Sequence, residues 1–147
     1  MDRRLTPELF IPEVPTDADR AAILAPLAAF NRQHTEFGAT GPLAVLLKNE
    51  AGATLGGLWG VTIFRWLKIE LLFVPEEMRG AFMGTAIMNR AEALAAERGC
   101  IGASLDTYSF QARGFYEKLG YSLVGTIEDC PRGGARHFLQ KRFAPPT

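Results

Sequence analysis

The sequence predicts a mixed α/β domain with a central, mostly antiparallel sheet of about seven strands, flanked by about four helices. Three observations favour this class. Short apolar segments broken by Gly and Pro fill residues 43–74, a helical period begins at residue 84, and another short apolar segment, residues 101–106, follows that helix. Because a helical crossover of this length joins parallel neighbours, residues 69–74 and 101–106 are expected to form one parallel pair within the sheet.

The N-terminal residues are predicted to form an edge strand and a helix. Residues 5–14 fit the strand, although Pro7 and Pro12 interrupt it. Residues 16–19 offer side chains that cap a helix, and the residues after them are rich in Ala and Leu. Pro26 is expected to split this helix, because proline lacks the backbone donor that a helix interior requires.

Three strands in the first half of the chain are predicted to form an antiparallel meander. Residues 43–48 and 54–66 are separated by residues 49–52, which have the sequence Asn-Glu-Ala-Gly and fit a hairpin turn. Residues 69–74 follow after a short break and form the third strand. The meander therefore ends on the strand that is expected to find a parallel partner at residues 101–106.

The second half of the chain is predicted to contain two helices and two late strands. Apolar side chains recur at helical spacing in residues 84–98, and Gly99 is placed to end this helix. Residues 109–121 form a second amphipathic helix. Residues 121–127 and 136–143 are predicted as strands that are joined by a turn-rich loop.

The composition fits one domain over residues 1–147, since apolar residues make up 48% and charged residues 22% of the chain. Sixteen basic and sixteen acidic residues cancel, which argues against nucleic acid or an anionic membrane as a partner. The early arginines are not followed by the apolar region of a secretory signal, and no segment approaches the roughly 20 apolar residues of a membrane span. We expect a cytoplasmic protein, with Cys100 and Cys130 as ordinary thiols and with no metal site.

The turn that follows residues 69–74 has the features of an anion site. Pro75 ends the strand, and Arg79-Gly80-Ala81-Phe82-Met83-Gly84 leads into the next helix. The first N–H groups of a helix lack intrahelical partners and carry roughly half a positive charge, so a phosphate can bind there largely through the backbone. The positive charge of Arg79 adds to this field.

These residues, together with a second motif further along the chain, resemble the GNAT superfamily of N-acetyltransferases. The family has an Arg/Gln-x-x-Gly-x-Gly/Ala turn after a central strand, which corresponds to residues 79–84. It also has an Asn-x-x-Ala pattern with a following aromatic-Tyr pair and a Gly-aromatic end, which corresponds to Ser109, Ala112, Phe115-Tyr116 and Gly120-Tyr121.

Two positions depart from the family pattern. Phe82 occupies the first glycine of the turn, where we expect helical backbone angles and a ring that turns aside or covers the cofactor, with a disabled cofactor site as the alternative. Ser109 stands where the family often has asparagine, and its hydroxyl is expected to cap the following helix.

The resemblance implies acetyl-CoA as the cofactor and coenzyme A as a product. Family members lay the pantetheine arm beside the central strand and the pyrophosphate against the turn. The residues expected to contact the cofactor are Leu72, Phe73, Val74, Arg79, Gly80, Ala81, Phe82, Met83, Gly84, Thr85, Ser109, Ala112 and Phe115.

Tyr116 matches the family tyrosine that points toward the sulfur of coenzyme A and acts as general acid. A phenol with a pKa of about 10 is protonated at neutral pH and can donate its proton to a leaving thiolate. An aromatic residue that only packs against Phe115 is the alternative interpretation.

Two acids are candidates for handling the acceptor. Glu70 is the candidate general base, because strand alternation puts it on the same face as Leu72 and Val74; a salt bridge or the orientation of a substrate ammonium is the alternative. Asp106 lies at the carboxyl end of the parallel strand, where open α/β sheets bind ligands, and is expected to bind substrate or else to cap the following turn.

The predicted function is that of an N-acetyltransferase whose acceptor, a primary amine of a small molecule or of a protein, attacks the thioester directly in a ternary complex. Cys100 and Cys130 lie outside both motifs, which disfavours a covalent route. A non-catalytic acyl-CoA-binding sensor or regulatory module is the alternative, motivated by Phe82. A dinucleotide-binding oxidoreductase is disfavoured, because the turn lacks Gly-x-Gly-x-x-Gly. A homodimer is expected, since many family members pair through late strands.

Overall fold

The structure is a computed structural model that describes residues 6–80 and 82–145. The chain divides into two units, Met1–Glu36 and Phe37–Thr147. Within the described residues, no helix is both long enough and apolar enough to span a bilayer.

Helix α1 (Asp17–Arg32) belongs to the first unit. The Thr16 hydroxyl accepts a hydrogen bond from the Asp19 backbone N–H, and the Asp19 carboxylate accepts one from the Thr16 N–H. This reciprocal pair confirms the predicted cap. The helix continues through Pro26, so the prediction that this proline splits it is wrong. A single proline removes one backbone donor, and the hydrogen bonds of the neighbouring turns hold the helix on either side.

The predicted N-terminal edge strand is absent from the part that the structure describes. Residues 6–14 adopt no strand conformation, and residue 5 lies outside the described residues. Pro7 and Pro12 have no backbone N–H, so this segment cannot complete the hydrogen bonds of a regular ladder.

The second unit is built on a six-stranded sheet with the spatial order β1-β2-β3-β4-β6-β5. Its elements are β1 (Gly41–Lys48), β2 (Thr54–Ile63), β3 (Trp66–Phe73), α2 (Met83–Glu97), β4 (Gly102–Tyr108), α3 (Arg113–Lys118), β5 (Ser122–Glu128) and β6 (Ala135–Arg142). Strands β3 and β4 are parallel, and all other neighbours are antiparallel. The mixed class, the meander and the parallel pair are thus confirmed, although the described residues hold six strands and three α-helices against about seven and about four predicted.

A two-residue turn divides the segment that the sequence predicts as one strand over residues 54–66. Phe64 and Arg65 have φ angles of 54° and 66°, so β2 ends at Ile63 and β3 begins at Trp66. Tight hairpin turns of this kind favour Asn and Gly at positive φ, and a Phe-Arg pair therefore carries no turn signal.

Of the two helices in this unit, α2 ends where the sequence predicts and α3 is shorter than predicted. Gly99, at φ 88°, ends α2 as predicted, in a conformation that costs glycine nothing. Helix α3 is shorter than the predicted helix over residues 109–121. The Gln111 side-chain oxygen accepts hydrogen bonds from the Tyr108 backbone N–H and the Thr107 hydroxyl, which holds the residues before α3 in a turn.

The core lies between α2 and one face of the sheet, which we call the α2 face. From the helix it receives Ile87, Met88, Ala91 and Ala95, and from the strands Leu67, Ile69, Ala103, Leu105 and Leu139, all of them buried. Small side chains on both surfaces let the helix approach the sheet closely. The opposite side of the sheet is called the outer face.

Arg98 fastens the C-terminal end of α2 to the first two strands. Its guanidinium donates hydrogen bonds to the Thr62 hydroxyl at 3.1 Å and to the Pro42 carbonyl at 3.0 Å. The other end of α2, its N-terminus, follows β3 and the turn after it.

Candidate active site

The parallel strands β3 and β4 separate where the candidate site begins. Their pairing runs from Trp66 opposite Gly102 to Ile69 opposite Leu105. Both strands continue beyond these residues, β3 to Phe73 and β4 to Tyr108, without pairing to each other. The separation opens a cleft of about 1180 Å³ at the carboxyl ends of the two strands. Open α/β sheets bind ligands at this edge.

Most of the residues predicted for the site line this cleft. They are Glu70, Leu72, Phe73, Val74, Arg79, Gly80, Phe82, Met83, Gly84, Thr85, Asp106, Ala112, Phe115 and Tyr116. Ala81 lies outside the described residues, and Ser109 is not among the lining residues. Sequence reasoning did not single out five further lining residues, Leu71, Phe110, Gln111, Lys118 and Leu119.

Glu70 lies at a β-bulge in β3. Gly60 of β2 lies opposite Ile69 and Trp59 lies opposite Leu71, so Glu70 is an extra residue without a partner on β2. The bulge shifts the alternation of the strand, because Leu67 and Ile69 face the core before it whereas Leu72 and Val74 pack against the core after it.

The bulge corrects one expectation about Glu70. Strand alternation predicts that its side chain shares a face with Leu72 and Val74, but these two pack against the core whereas Glu70 is exposed. Glu70 still lines the cleft, together with its neighbour Leu71. A bulge is a local two-against-one pairing, which no periodic pattern in one strand can reveal.

The basic turn and the start of α2 form the second wall of the cleft. Arg79 donates from Nε to the Val74 carbonyl at 2.8 Å, which ties the turn to the end of β3. The first hydrogen bond of the helix runs from the Ala86 N–H to the Phe82 carbonyl. No side chain caps this end, and its first turn holds no acidic residue. The N–H groups of residues 83–85 are therefore available to an anion, which fits a phosphate-bearing cofactor.

Phe82 is the N-cap residue of α2 and adopts left-handed backbone angles, φ 58° and ψ 18°. The expectation of ordinary helical angles is therefore wrong. The backbone keeps the conformation that glycine adopts readily, and a phenylalanine holds it at a steric cost. The ring is 82% exposed and lines the cleft.

Gly84 allows α2 and α3 to meet beside the cleft. A Cβ atom at this position would lie 3.1 Å from Cζ of Phe115 and 3.9 Å from Cγ2 of Val74. The missing side chain thus makes room for the Phe115 ring. The close approach connects the turn to the helix that carries Tyr116.

Tyr116 lies on α3 and is partly buried against the core. Its ring meets Phe115 edge-on at 5.1 Å and Tyr121 edge-on at 6.2 Å between centroids. Burial raises the pKa of the Tyr116 phenol above its ordinary value, so the hydroxyl keeps its proton at neutral pH.

The sequence did not indicate a polar network that includes Tyr121, the residue whose ring packs against Tyr116. The Tyr121 hydroxyl donates to Glu92 at 2.9 Å, and the Lys141 ammonium donates to the same carboxylate at 2.7 Å. Burial, and then the charge and hydrogen bond of Glu92, raise the pKa of Tyr121 strongly. The Tyr121 N–H also donates to the Tyr116 carbonyl at 3.1 Å, so this network, which spans α2 and β6, anchors the end of α3.

Ser109 and Asp106 form polar contacts with β6 that the sequence did not indicate. The Ser109 hydroxyl accepts a hydrogen bond from the Ala135 N–H at 3.0 Å, and the cap position of α3 is Ala112, so the predicted serine cap is wrong. The Asp106 carboxylate pairs with Nε of Arg136 at 2.8 Å and does not cap the following turn. Both partners lie about thirty residues away along the chain, so no local motif could have identified them.

Comparisons with known proteins agree with this geometry. Residues 10–121 match the model of the acetyltransferase (GNAT) family. A blasticidin-S acetyltransferase of Streptomyces morookaense is 45% identical over 95 residues, which cover 64% of this chain and 70% of the relative. An acetyltransferase of Agrobacterium fabrum is 36% identical over 122 residues, covering 83% of this chain and 89% of the relative. The crystal structure of an acetyltransferase from Bacillus cereus matches with a TM-score of 0.80 at 32% identity, covering 91% of this chain and 98% of that one.

Proposed function

The chain belongs to the GNAT family of acetyltransferases, and on that basis we propose that it transfers the acetyl group of acetyl-CoA to a primary amine of a small molecule. One observation carries the proposal: strands β3 and β4 separate beside the uncapped start of α2, and Tyr116 borders the same cleft. A relative is named for acetylation of blasticidin S, which supports a small-molecule acceptor over a protein amine.

The residues around the cleft fit acetyl-CoA. The N–H groups of residues 83–85 and the guanidinium of Arg79 would hold its phosphates. The part of β3 that has left β4, residues 70–73, offers unpaired backbone groups for the amide-bearing arm. When bound, acetyl-CoA supplies an acetyl group that is activated as a thioester.

Tyr116 would act as the general acid. It holds a proton at its hydroxyl at neutral pH, because burial raises its pKa. None of the hydrogen bonds among the described residues uses this hydroxyl, so the proton is free to be donated to the sulfur that leaves.

Glu70 and Asp106 would bind the acceptor. Both carboxylates line the cleft, whereas the basic residues Arg79 and Lys118 lie in the turn and at the end of α3. A carboxylate beside the cleft attracts the ammonium form of the acceptor. Glu70 has no partner residue on β2 or β4. Its carboxylate would accept the proton that the amine must lose before it can attack.

Direct transfer from cofactor to amine agrees with the positions of the two cysteines. Cys100 is buried in the core, and burial raises the pKa of its thiol, so the nucleophilic thiolate is disfavoured. Neither Cys100 nor Cys130 is among the residues that line the cleft. A covalent acetyl-cysteine intermediate therefore has no support from the described residues.

A cytoplasmic homodimer completes the proposal. Strand β5 is one of the two edge strands of the sheet and exposes Leu123, Val124 and Ile127. An unpaired strand edge with exposed apolar side chains favours pairing with a second copy.

The proposal is tested by calorimetric titration with acetyl-CoA and by release of free coenzyme A across a panel of primary amines. We expect binding, and thiol release with at least one amine. Tyr116→Phe should lower turnover by about 10²–10⁴-fold and leave cofactor affinity nearly unchanged. Tyr108→Phe removes a hydroxyl from a neighbouring tyrosine that does not line the cleft, and it should leave turnover unchanged. Binding without turnover on any amine would instead support a sensor of acyl-CoA.

A further inference from the structure

A second, smaller groove lies on the outer face of the sheet. It has a volume of about 250 Å³ and is lined by residues that include Lys68, Ser104, Asp106, Arg136, Phe138 and Gln140. The strand register puts these side chains on one face, since Lys68 lies opposite Ser104, Ser104 opposite Gln140, and Asp106 opposite Phe138. We call this the outer groove.

Asp106 connects the outer groove to the cleft, because this residue lines both. Strands β3 and β4 are still paired beneath the groove, at Lys68 and Ser104, and they separate after the next pair, Ile69 and Leu105. A ligand in the outer groove can therefore extend one end into the opening between the two strands.

The outer groove carries more positive than negative charge. Nε of Arg136 is bonded to Asp106 at 2.8 Å, and the guanidinium lies over the Phe138 ring at 4.8 Å from its centroid. These two contacts orient the guanidinium and leave its terminal nitrogens without a partner among the described residues. The Lys68 ammonium forms no hydrogen bond or ion pair with the other described residues. The groove is thus lined by two cations, Lys68 and Arg136, and by one carboxylate, Asp106, which is already paired with Arg136.

We propose that the outer groove binds an oxyanion of the acceptor, a carboxylate or a phosphate, through Lys68 and Arg136, so that the acceptor is an amine that also carries an anionic group. This inference rests on the function proposed above and adds the chemical class of the acceptor. Arg136 offers planar paired donors that match an oxyanion, and Lys68 adds a point charge. The amine end reaches Glu70, which is two residues further along β3, or roughly 7 Å at the rise of an extended strand.

The test uses the full chain saturated with coenzyme A, which allows acceptor binding without turnover. Three amines of similar size serve as probes: β-alanine, 2-aminoethyl phosphate and β-alaninamide, in which an uncharged amide replaces the anionic group. NMR signals of the Arg136 side chain and the Lys68 ammonium report binding. We expect at least one anionic probe to shift both signals and to bind about tenfold more tightly than the amide. The stronger of the two anionic probes identifies carboxylate or phosphate as the preferred group.

Matched lysine variants separate the groove from general surface charge. Lys68→Gln should weaken the anionic probes by about tenfold and leave the amide unchanged, whereas Lys48→Gln, at an exposed position on β1, should change neither. Equal binding of the amide and the anions, no binding of either anion, or equal effects of the two variants would overturn the proposal. Release of coenzyme A distinguishes failure of the outer-groove proposal from failure of the proposed acetyl transfer. Turnover of amines without this preference refutes the outer groove alone, whereas anion binding at Lys68 with no turnover of any amine refutes the acetyl transfer.

Discussion

The left-handed backbone at Phe82 predicts that Phe82→Gly stabilises the protein. An L-residue in this conformation costs roughly 1–2 kcal/mol, and glycine avoids that cost. The greater flexibility of glycine in the unfolded chain offsets roughly 0.4–1 kcal/mol of the gain. The ring is 82% exposed, so its loss removes little buried surface. The net expectation is a gain of about 0.5–1 kcal/mol in the free energy of unfolding, or about 1–4 °C in Tm for a chain of this length.

Phe82→Ala is the matched control, because alanine removes the same ring but keeps the side chain that opposes positive φ. Urea unfolding of the wild type and both variants gives the three free energies with a shared slope. We expect the glycine variant to be more stable than the alanine variant by about 0.5–1 kcal/mol. If the two variants are equally stable, Phe82 stores no backbone strain and the argument from its φ angle fails.

Two further predictions concern packing and protonation. Gly84→Val should destabilise the fold by about 1–3 kcal/mol and weaken cofactor binding, since its Cβ alone would lie 3.1 Å from the Phe115 ring. A Cβ at Gly114 would meet no atom within 4 Å, so Gly114→Val is expected to preserve cofactor affinity in the same titration. The pKa of the Tyr121 hydroxyl is higher in the folded state than its ordinary value of about 10 in the unfolded state. The stabilisation that results from this difference is complete below about pH 10. It is lost as the pH rises beyond that value, because the unfolded state then binds fewer protons than the folded state. Urea unfolding at pH 8 to 11 should therefore show a decline that Tyr121→Phe reduces, and an unchanged decline in this variant would contradict the assignment.

Local patterns were sufficient for the fold class, the meander and the parallel pair. Each of these depends on hydrophobic segments and on the length of the connection between them, which a sequence displays directly. The turn at Phe64 and Arg65 could not be predicted in the same way, because neither residue favours positive φ. There the pairing of β2 with β3 overrides local preference.

The lining of the cleft was largely predictable because the resemblance covers two local motifs. The partners of those motif residues were not, since they come from distant parts of the chain. Asp106 pairs with Arg136, and Ser109 with Ala135, only because β6 lies antiparallel to β4 in one particular register. The charge of the outer groove depends on the same register and was equally hidden.

The bulge at Glu70 gives the cleft a side chain that the pairing of the sheet does not constrain. Every other position in the paired part of β3 has a cross-strand neighbour, and a change there alters a fitted contact. Position 70 has no such neighbour on either side, so its side chain can be exchanged without disturbing the pairing of the sheet. A substitution at position 70 is therefore expected to change the lining of the cleft while the pairing of β3 with its neighbours is kept.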